Sequence, residues 1–359
     1  MSFTEQHFEN AIIELMRDEL GYEYIYGPDV ERDYQSPLHE EMLLTALNDI
    51  NPGLNLEAVN EAIYRLKNFE SINLLQRNKA FMDYLQSGIE VSTMVDGEIR
   101  HDRVMLIDYD HPENNLFYVA NQWTVVGNAE RRTDVIIFIN GLPLVVIELK
   151  SCSREETDAS DAYLQLRNYM QDIPDLFNYN AFCVMSDLTV SKAGTITAEE
   201  DRFMEWKTTD GNYESTKYAA FDVLFVGMFA KNRILDIIKN FIVFSDDIKI
   251  LAGYHQYFAV KKAIERSQTA ASSDGKGGIF WHTQGSGKSL SMVFYTKLLQ
   301  EALDSPTVVV LTDRNDLDDQ LFGQFSRCAY FLRQTPEQAE SRVELKKLLD
   351  GRVANGIIF

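Results

Sequence analysis

Three charged residues, Asp134, Glu148 and Lys150, lie within or beside two strongly apolar runs of the segment 133–150. Runs that are apolar at nearly every position are typical of strands buried on both faces, where an unpaired charge is costly. Glu148 and Lys150 are two residues apart, so they share one face of a strand. Two carboxylates at a strand junction form an oxygen site suited to Mg²⁺, which polarises a phosphate while the lysine positions or activates water. The pattern predicts metal-dependent phosphodiester hydrolysis.

The two apolar runs are joined by Asn140-Gly141, a strong hairpin signal. Directly opposed residues on paired strands point to the same face. In a hairpin, the two residue numbers of every directly opposed pair add up to the same sum. Asp134 and Glu148 therefore share a face only if that sum is even. We therefore expect a connection with an odd number of residues, such as 140–142 or 139–143. A connection with an even number of residues and no bulge would argue against a shared site.

The spacing of these residues resembles the D…E-x-K pattern of the PD-(D/E)xK nucleases, although Thr133 stands where that family has proline. Gln165 and Tyr169 lie four apart on one face of the following helix and resemble the Q-x-x-x-Y box of RecB-like and type I enzymes. Glu9 matches an acidic position that the family often adds to its metal site. The resemblance thus implies Asp134, Glu148 and Glu9 as ligands. Alternatively, Gln165 is a surface residue and Tyr169 a core residue.

A glycine-rich loop in the segment 278–289 predicts a phosphate-binding turn between a strand and a helix. Its backbone amides can surround an anion, its lysine can reach the β- and γ-phosphates of ATP, and its last serine can bind Mg²⁺. The residues concerned are Gly285, Ser286, Gly287, Lys288 and Ser289. The first glycine of the P-loop consensus is replaced by His282, as in the motors of type I restriction enzymes.

Two flanking segments also resemble motor motifs. Gln256, in Tyr254-His-Gln, is similar to the glutamine that reads adenine in superfamily 2 helicases. The segment 312–320 resembles motif Ia of type I motors, which implies a DNA phosphate contact for Arg314. A surface salt bridge between Arg314 and a neighbouring aspartate is the alternative.

The elements that carry these residues indicate an α/β chain of two domains. We expect a first helix over 4–20, a helical region over 37–85, and short β runs at 104–107, 116–119 and 123–126. Strands follow at 135–139, 144–149 and 182–185. Further strands are predicted at 278–282 and, buried, at 307–312, with an exposed loop over 267–278. The predicted domains are 1–248, a PD-(D/E)xK-type endonuclease with a mixed sheet, and 249–359, a truncated RecA-like lobe with a parallel sheet.

The composition fits two globular domains, with 45% hydrophobic and 25% charged residues. No apolar run could span a bilayer and the N-terminus lacks signal-peptide features, so we expect a cytoplasmic protein without membrane contact. The net charge of −21 argues against coating of DNA through counterion release. The three cysteines are scattered, and we interpret them as structural.

Nearly the whole chain resembles the restriction (R) subunit of type I restriction-modification enzymes. Besides the nuclease residues and the phosphate loop, the segments 186–197 and 202–206 look like that family's connecting signature. The resemblance implies cleavage of double-stranded DNA after ATP-driven translocation, in a complex with methylation (M) and specificity (S) subunits. Because no second acidic motif follows Lys288 and the sequence ends in an apolar run, we expect a fragment that does not hydrolyse ATP.

Two other functions are compatible with the same motifs. The chain could belong to another nuclease–helicase fusion, RecB-like or from phage defence. It could also be a non-cleaving DNA translocase whose nuclease fold is only a scaffold, which fits the acidic charge slightly better.

Overall fold

A computed structural model of the chain describes residues 4–95, 97–150, 159–187, 189–212, 220–352 and 355–359. The chain divides into two compact units, residues 1–239 and 240–359. The domain boundary predicted from the sequence follows residue 248. The structure groups the hairpin of Ile242–Ser245 and Ile248–Leu251 with the second unit.

The first unit is built on a seven-stranded mixed sheet in the order β1-β4-β5-β6-β7-β8-β9. β1 and β4 are parallel, as are β6 and β7, and the other neighbours are antiparallel. A separate antiparallel pair is formed by β2 and β3. The strands are β1 (Glu23–Tyr26), β2 (Ile89–Val95), β3 (Glu98–Val104), β4 (Phe117–Val126), β5 (Glu130–Ile139), β6 (Leu142–Leu149), β7 (Phe182–Ser186), β8 (Ser191–Gly194) and β9 (Met204–Glu205).

The first helices of this unit lie in the segments for which the sequence predicts helix. Thr4 caps the first of them with its side chain, and the predicted span over 4–20 continues as a π-helix over Leu15–Glu19 before Gly21. The predicted helical region 37–85 contains three helices. The helices are α1 (Glu5–Glu14), α2 (Glu40–Ile50), α3 (Leu56–Lys67), α4 (Leu74–Ser87), α5 (Ala159–Asp172), α6 (Pro174–Asn178), α7 (Ala220–Phe229) and α8 (Lys231–Asn240). Within the described ranges, no helix is long and apolar enough to cross a membrane.

The connection between β5 and β6 contains two residues, so the predicted connection with an odd number of residues was wrong. Only Asn140 and Gly141 lie between the strands, and both have positive φ, 52° and 79°, as a two-residue hairpin turn requires. Ile139 pairs with Leu142, an odd sum, but a bulge then shifts the register so that Ile137 pairs with Val145, an even sum. The even register continues to Val135 and Ile147, which brings Asp134 opposite Glu148.

The prediction of two separate β runs at 116–119 and 123–126 was also wrong. The two runs expected at 116–119 and 123–126 belong to one strand of ten residues, interrupted at Gln122, whose φ is 55°. The run expected at 104–107 contributes only its first residue to a strand, because β3 ends at Val104.

The second unit contains two pairs of strands and five helices in its described part. β10 and β11 form an antiparallel hairpin, and β12 and β13 are parallel. The elements are β10 (Ile242–Ser245), β11 (Ile248–Leu251), α9 (Tyr254–Ala271), α10 (Lys288–Ala302), β12 (Thr307–Val309), α11 (Asn315–Arg327), α12 (Ala329–Leu332), α13 (Arg342–Leu349) and β13 (Gly356–Ile358).

Three predictions for this unit were wrong. Residues 278–282 form no strand with any described residue, and Ile279 and Trp281 are 95% and 85% exposed. The strand predicted over 307–312 is only three residues long, and its Val309 is 41% exposed instead of buried. The loop expected from Ser267 begins later, because α9 continues to Ala271.

Candidate functional site

The hairpin and its bulge bring Asp134, Glu148 and Lys150 together. The ammonium of Lys150 lies 2.5 Å from Oε1 of Glu148. The backbone N–H of Leu149 donates to Oδ2 of Asp134 over 2.8 Å. The backbone N–H of Lys150 donates to the carbonyl of Ser186 on β7 (2.9 Å), so the E-x-K segment is attached to both neighbouring strands, β5 and β7.

The electrostatics of this group are those of charges largely shielded from water, since Glu148 is buried and Asp134 and Lys150 are half-buried. Burial and the neighbouring Glu148 raise the pKa of Asp134 well above its usual range. Burial raises the pKa of Glu148 as well, although Lys150 and Tyr169 oppose the rise. Burial acts to lower the pKa of Lys150, but the attraction of Glu148 and Asp134 prevails and raises it. One ammonium thus compensates two carboxylates only partly, and a further cation would stabilise the group.

One oxygen of Glu148 supports the same conclusion. The residue is 2% exposed, and its Oε2 has no hydrogen-bond partner among the described residues. A buried carboxylate oxygen without a donor is unfavourable, and a divalent cation would satisfy it. Mg²⁺ needs only one or two protein carboxylates, the rest of its shell being water and phosphate oxygens. Asp134 and Glu148 therefore fit such an ion.

Gln165 and Tyr169 lie on α5 beside these charges. Tyr169 is 3% exposed, and its hydroxyl donates to the carbonyl of Arg132 over 3.2 Å, two residues before Asp134. Burial and the charges of Glu148 and Asp134 raise the pKa of this hydroxyl, and a hydrogen bond with Gln165 opposes the rise. In the pair resembling the Q-x-x-x-Y box, Tyr169 therefore lies next to the carboxylates, and Gln165 interacts with Tyr169.

Glu9 is buried on α1 but takes a different place. Its Oε1 accepts from the side-chain amide of Asn121 (2.6 Å) and its Oε2 from that of Gln122 (2.8 Å). Burial raises its pKa, and these two amides oppose the rise. No three acidic, histidine or cysteine side chains in the described chain converge closely enough to hold one ion. In this geometry Glu9 does not join Asp134 and Glu148 in a three-ligand site.

Three residues near the site were missed from the sequence. Asn121 and Gln122 hold Glu9, and the charge of Glu5, one turn before Glu9 on α1, acts on both carboxylates and on Lys150. A signal was available for the first two, because the polar pair separates the two apolar runs predicted at 116–119 and 123–126. Nothing distinguishes Glu5 from other acidic residues in the sequence.

The glycine-rich loop of the second unit leads into a helix, as the sequence predicts, although 278–282 do not form the predicted strand before it with any described residue. Gly285 and Gly287 have φ values of 80° and 77°, and α10 begins at Lys288. The ammonium of Lys288 donates to the loop carbonyls of Thr283 (2.9 Å) and His282 (3.3 Å). The ammonium of Lys288 therefore lies over its own loop. The oxygens of a bound phosphate would replace these carbonyls as its hydrogen-bond acceptors.

Gln256 contacts this loop with its side chain. Its Oε1 accepts from the backbone N–H of Gly253 (2.9 Å), and its Nε2 donates to the carbonyl of Gly287 (3.0 Å). A Cβ on Gly287 would lie 2.8 Å from this Nε2, so Gln256 also favours glycine there. Both ends of the amide that was predicted to read adenine are engaged within the protein.

The remaining predicted positions are more exposed. Ser286 donates to the carbonyl of Thr283 (2.8 Å), and Ser289 lies half-buried in the first turn of α10. Arg314 pairs with Asp316 over 2.5 Å, as its alternative interpretation expects. Of the three cysteines, Cys183 and Cys328 are buried and form no disulfide with any described residue, while Cys152 lies outside the described residues.

Comparison with known proteins gives the class to which the two units correspond. Residues 2–202 match the family described as "Type I restriction enzyme R protein N terminus", and residues 255–359 match "SWI2/SNF2 ATPase". The first match covers more than half of the chain. The chain belongs to the type I restriction enzyme R protein family.

Curated relatives extend this similarity over nearly the whole chain. It is 38% identical to the type I restriction enzyme HindI endonuclease subunit of Haemophilus influenzae, over 99% of this chain and 36% of the relative. It is 34% identical to the putative MjaIXP endonuclease subunit of Methanocaldococcus jannaschii, over 98% of this chain and again 36% of the relative. The chain therefore spans about a third of the length of these relatives.

Proposed function

We propose that the first unit is the DNA-cleaving part of a type I restriction enzyme and hydrolyses phosphodiester bonds with the help of Mg²⁺. The observation that carries this proposal is the buried Oε2 of Glu148, which has no hydrogen-bond partner in the described part of the chain and belongs to a group with Asp134 and Lys150. The PD-(D/E)xK fold follows as part of the proposal, supported by the mixed sheet and the order of the three residues along its hairpin.

Each residue then has a separate task. Asp134 and Glu148 hold the cation, which when bound polarises the scissile phosphate and lowers the pKa of a bound water. Lys150 orients the attacking water and offsets phosphate charge, while its ion pair keeps one oxygen of Glu148 in place. Tyr169, with Gln165, anchors α5 to β5 next to Asp134 and limits the water that reaches the carboxylates. Glu9 is not a ligand of the cation in this proposal, because its two oxygens accept from the amides of Asn121 and Gln122.

For the second unit, we propose ATP binding as the start of a RecA-like motor lobe. The backbone of Gly285, Ser286 and Gly287 surrounds the phosphates, Lys288 neutralises them, and Ser289 takes the Mg²⁺ that accompanies ATP. Reading of adenine by Gln256 requires its amide to exchange its present partners. Arg314 contacts a DNA phosphate once it leaves Asp316. The proposed domains are an endonuclease domain and a motor lobe, which the sequence divides after residue 248 and the structure after residue 239.

The whole protein would act as its relatives' names indicate. Those names describe endonuclease subunits of type I restriction enzymes, which supports double-stranded DNA as the substrate. Methylation and specificity subunits are the proposed partners, and ATP-driven translocation the proposed motor activity.

Nicking of a supercoiled plasmid tests the nuclease proposal. We expect Mg²⁺-dependent nicking by the wild type, lost in Asp134→Ala and in Lys150→Ala. Asp201→Ala and Lys207→Ala are matched controls, because both side chains are exposed and pair only at the surface. Nicking that survives both site substitutions would contradict the proposal. Repeating the assay with the rest of the R subunit and its methylation and specificity subunits separates a type I enzyme from another nuclease–helicase fusion.

A further inference from the structure

The left-handed backbone at Gln122 is an unusual feature beside the proposed cation site. Its φ of 55° interrupts a ten-residue strand at a residue that is not glycine. Such a conformation is unfavourable for a residue with a side chain and persists only where the surroundings impose it. Isolated strain of this kind is concentrated at functional sites.

The kink lies at the register position of Asp134. Asn121 pairs with Val135 and Trp123 pairs with Thr133, so Gln122 is the residue of β4 opposite Asp134. In a regular antiparallel pair, two opposed side chains share a face with their Cβ atoms about 5 Å apart. The Gln122 amide would then compete for the carboxylate of Asp134. It donates to Glu9 instead.

Together with Asn121, Gln122 forms an amide clamp, by which we mean the two side-chain amides that donate to the two oxygens of Glu9 (2.6 and 2.8 Å). The clamp is itself supported, because the hydroxyl of Tyr24 on β1 donates to Oδ1 of Asn121 over 3.0 Å. Asn121 and Glu9 are 5% and 6% exposed, so these hydrogen bonds are shielded from water.

The backbone of Gly27 also packs against the kink at Gln122. A Cβ on Gly27 would lie 2.7 Å from the carbonyl oxygen of Gln122 and 2.8 Å from that of Asn121. Only a residue without a side chain can approach these carbonyls so closely. The segment after β1 therefore packs directly against the kinked backbone.

We propose that Asn121 and Gln122 are positioning residues for the cation site. By clamping Glu9, they hold β4 in its kink, which keeps the Gln122 amide away from Asp134 and leaves that carboxylate to meet Glu148 and a divalent cation. The inference rests on the proposed function, because it assumes that Asp134 and Glu148 bind the cation. It gives Glu9 an indirect role, as the acceptor of the clamp.

Calorimetric titration of the chain with Mn²⁺, as a substitute for Mg²⁺, tests the proposal without relying on cleavage. Glu9→Ala removes the acceptor of the clamp and leaves the Gln122 amide able to reach Asp134. Partners behind metal ligands typically contribute 10- to 100-fold to affinity, so we expect about tenfold weaker Mn²⁺ binding with cooperative unfolding retained. Adding Gln122→Gly, which keeps the left-handed backbone accessible, removes the competing amide and should restore most of the affinity. Gln86→Ala, which removes an amide that donates to a helix carbonyl on α8, is the control and should bind Mn²⁺ as the wild type does.

Asp134→Asn separates the inference from the proposed function. If it abolishes Mn²⁺ binding while Glu9→Ala binds normally, the clamp has no positioning role. If Glu9→Ala abolishes binding as completely as Asp134→Asn and the added Gln122→Gly restores none of it, Glu9 is a direct ligand and the inference is wrong. If Asp134→Asn itself binds Mn²⁺ normally, the proposed function fails and the inference with it. Should Glu9→Ala not fold, Glu9→Gln replaces it in both variants, and only a partial loss that Gln122→Gly reverses supports the proposal.

Discussion

The carboxylate of Asp134 accepts a hydrogen bond from the backbone N–H of Leu149, the residue between Glu148 and Lys150. This contact depends on the bulge in β6, because the two-residue turn alone would put the strands in the odd register. A shift of one residue moves every side chain of a strand to its other face. The hairpin thus determines whether the three charged groups form one site.

Replacing Asp134 with asparagine is expected to stabilise the metal-free protein at neutral pH. Burial and Glu148 raise the pKa of Asp134 above its unfolded value of about 3.9. The folded state then binds more protons than the unfolded state, so this contribution to stability is fully present below the unfolded pKa and is lost as the pH rises through the folded pKa. The asparagine variant would lack this loss. Chemical denaturation in EDTA between about pH 4 and pH 8 measures the effect, and identical pH profiles for both proteins would contradict it.

Replacing Lys150 with methionine should lower the free energy of unfolding by about 2 kcal/mol. Breaking a fully buried ion pair costs about 3–5 kcal/mol, and the 20% exposure of Lys150 reduces this. The loss comes from Glu148, whose buried carboxylate would lose its ion-pair partner. The double variant Lys150→Met/Glu148→Gln should therefore recover most of the lost stability in urea denaturation. A double variant no more stable than Lys150→Met would refute this explanation.

Local sequence patterns predicted the strands of the hairpin but not their register. The apolar, β-branched runs at 135–139 and 144–149 are strands as expected. The bulge depends on contacts that are distant in sequence, since the carbonyl of Leu144 accepts from the backbone N–H of Ala181. The kink at Gln122 likewise depends on Glu9 and Gly27. Such contacts leave no periodic signal.

The second unit shows the opposite error. Residues 278–282 have the composition of a buried strand, yet Ile279 and Trp281 are exposed. A strand needs partners for its backbone as well as apolar side chains, and propensity alone does not supply them. Of the apolar run at 307–312, only the three residues that pair with Gly356–Ile358 are a strand.

Gly141→Ala should destabilise the first unit by about 2–4 kcal/mol, because two separate costs coincide. The residue has a φ of 79°, and an added Cβ would lie 2.6 Å from the carbonyl oxygen of His39 and from the backbone nitrogen of Leu43. Gly53 is the matched control, since its φ is 93° and nothing lies within 4 Å of an added Cβ. Gly53→Ala should therefore cost only the backbone strain, about 1 kcal/mol. Equal losses in urea denaturation would show that the contact with α2 is unimportant.

Lys288→Ala should weaken ATP binding with little effect on folding. The ammonium is exposed and donates only to two loop carbonyls among its described contacts, so its loss should change stability by less than about 0.5 kcal/mol. A charge-assisted hydrogen bond to phosphate contributes about 1.5–3 kcal/mol, which corresponds to about 10- to 100-fold in affinity. Lys276→Ala removes another exposed lysine from the same unit and should bind normally. Titration with a fluorescent ATP analogue compares the two, and a similar weakening in both would indicate a general charge effect instead of a phosphate contact.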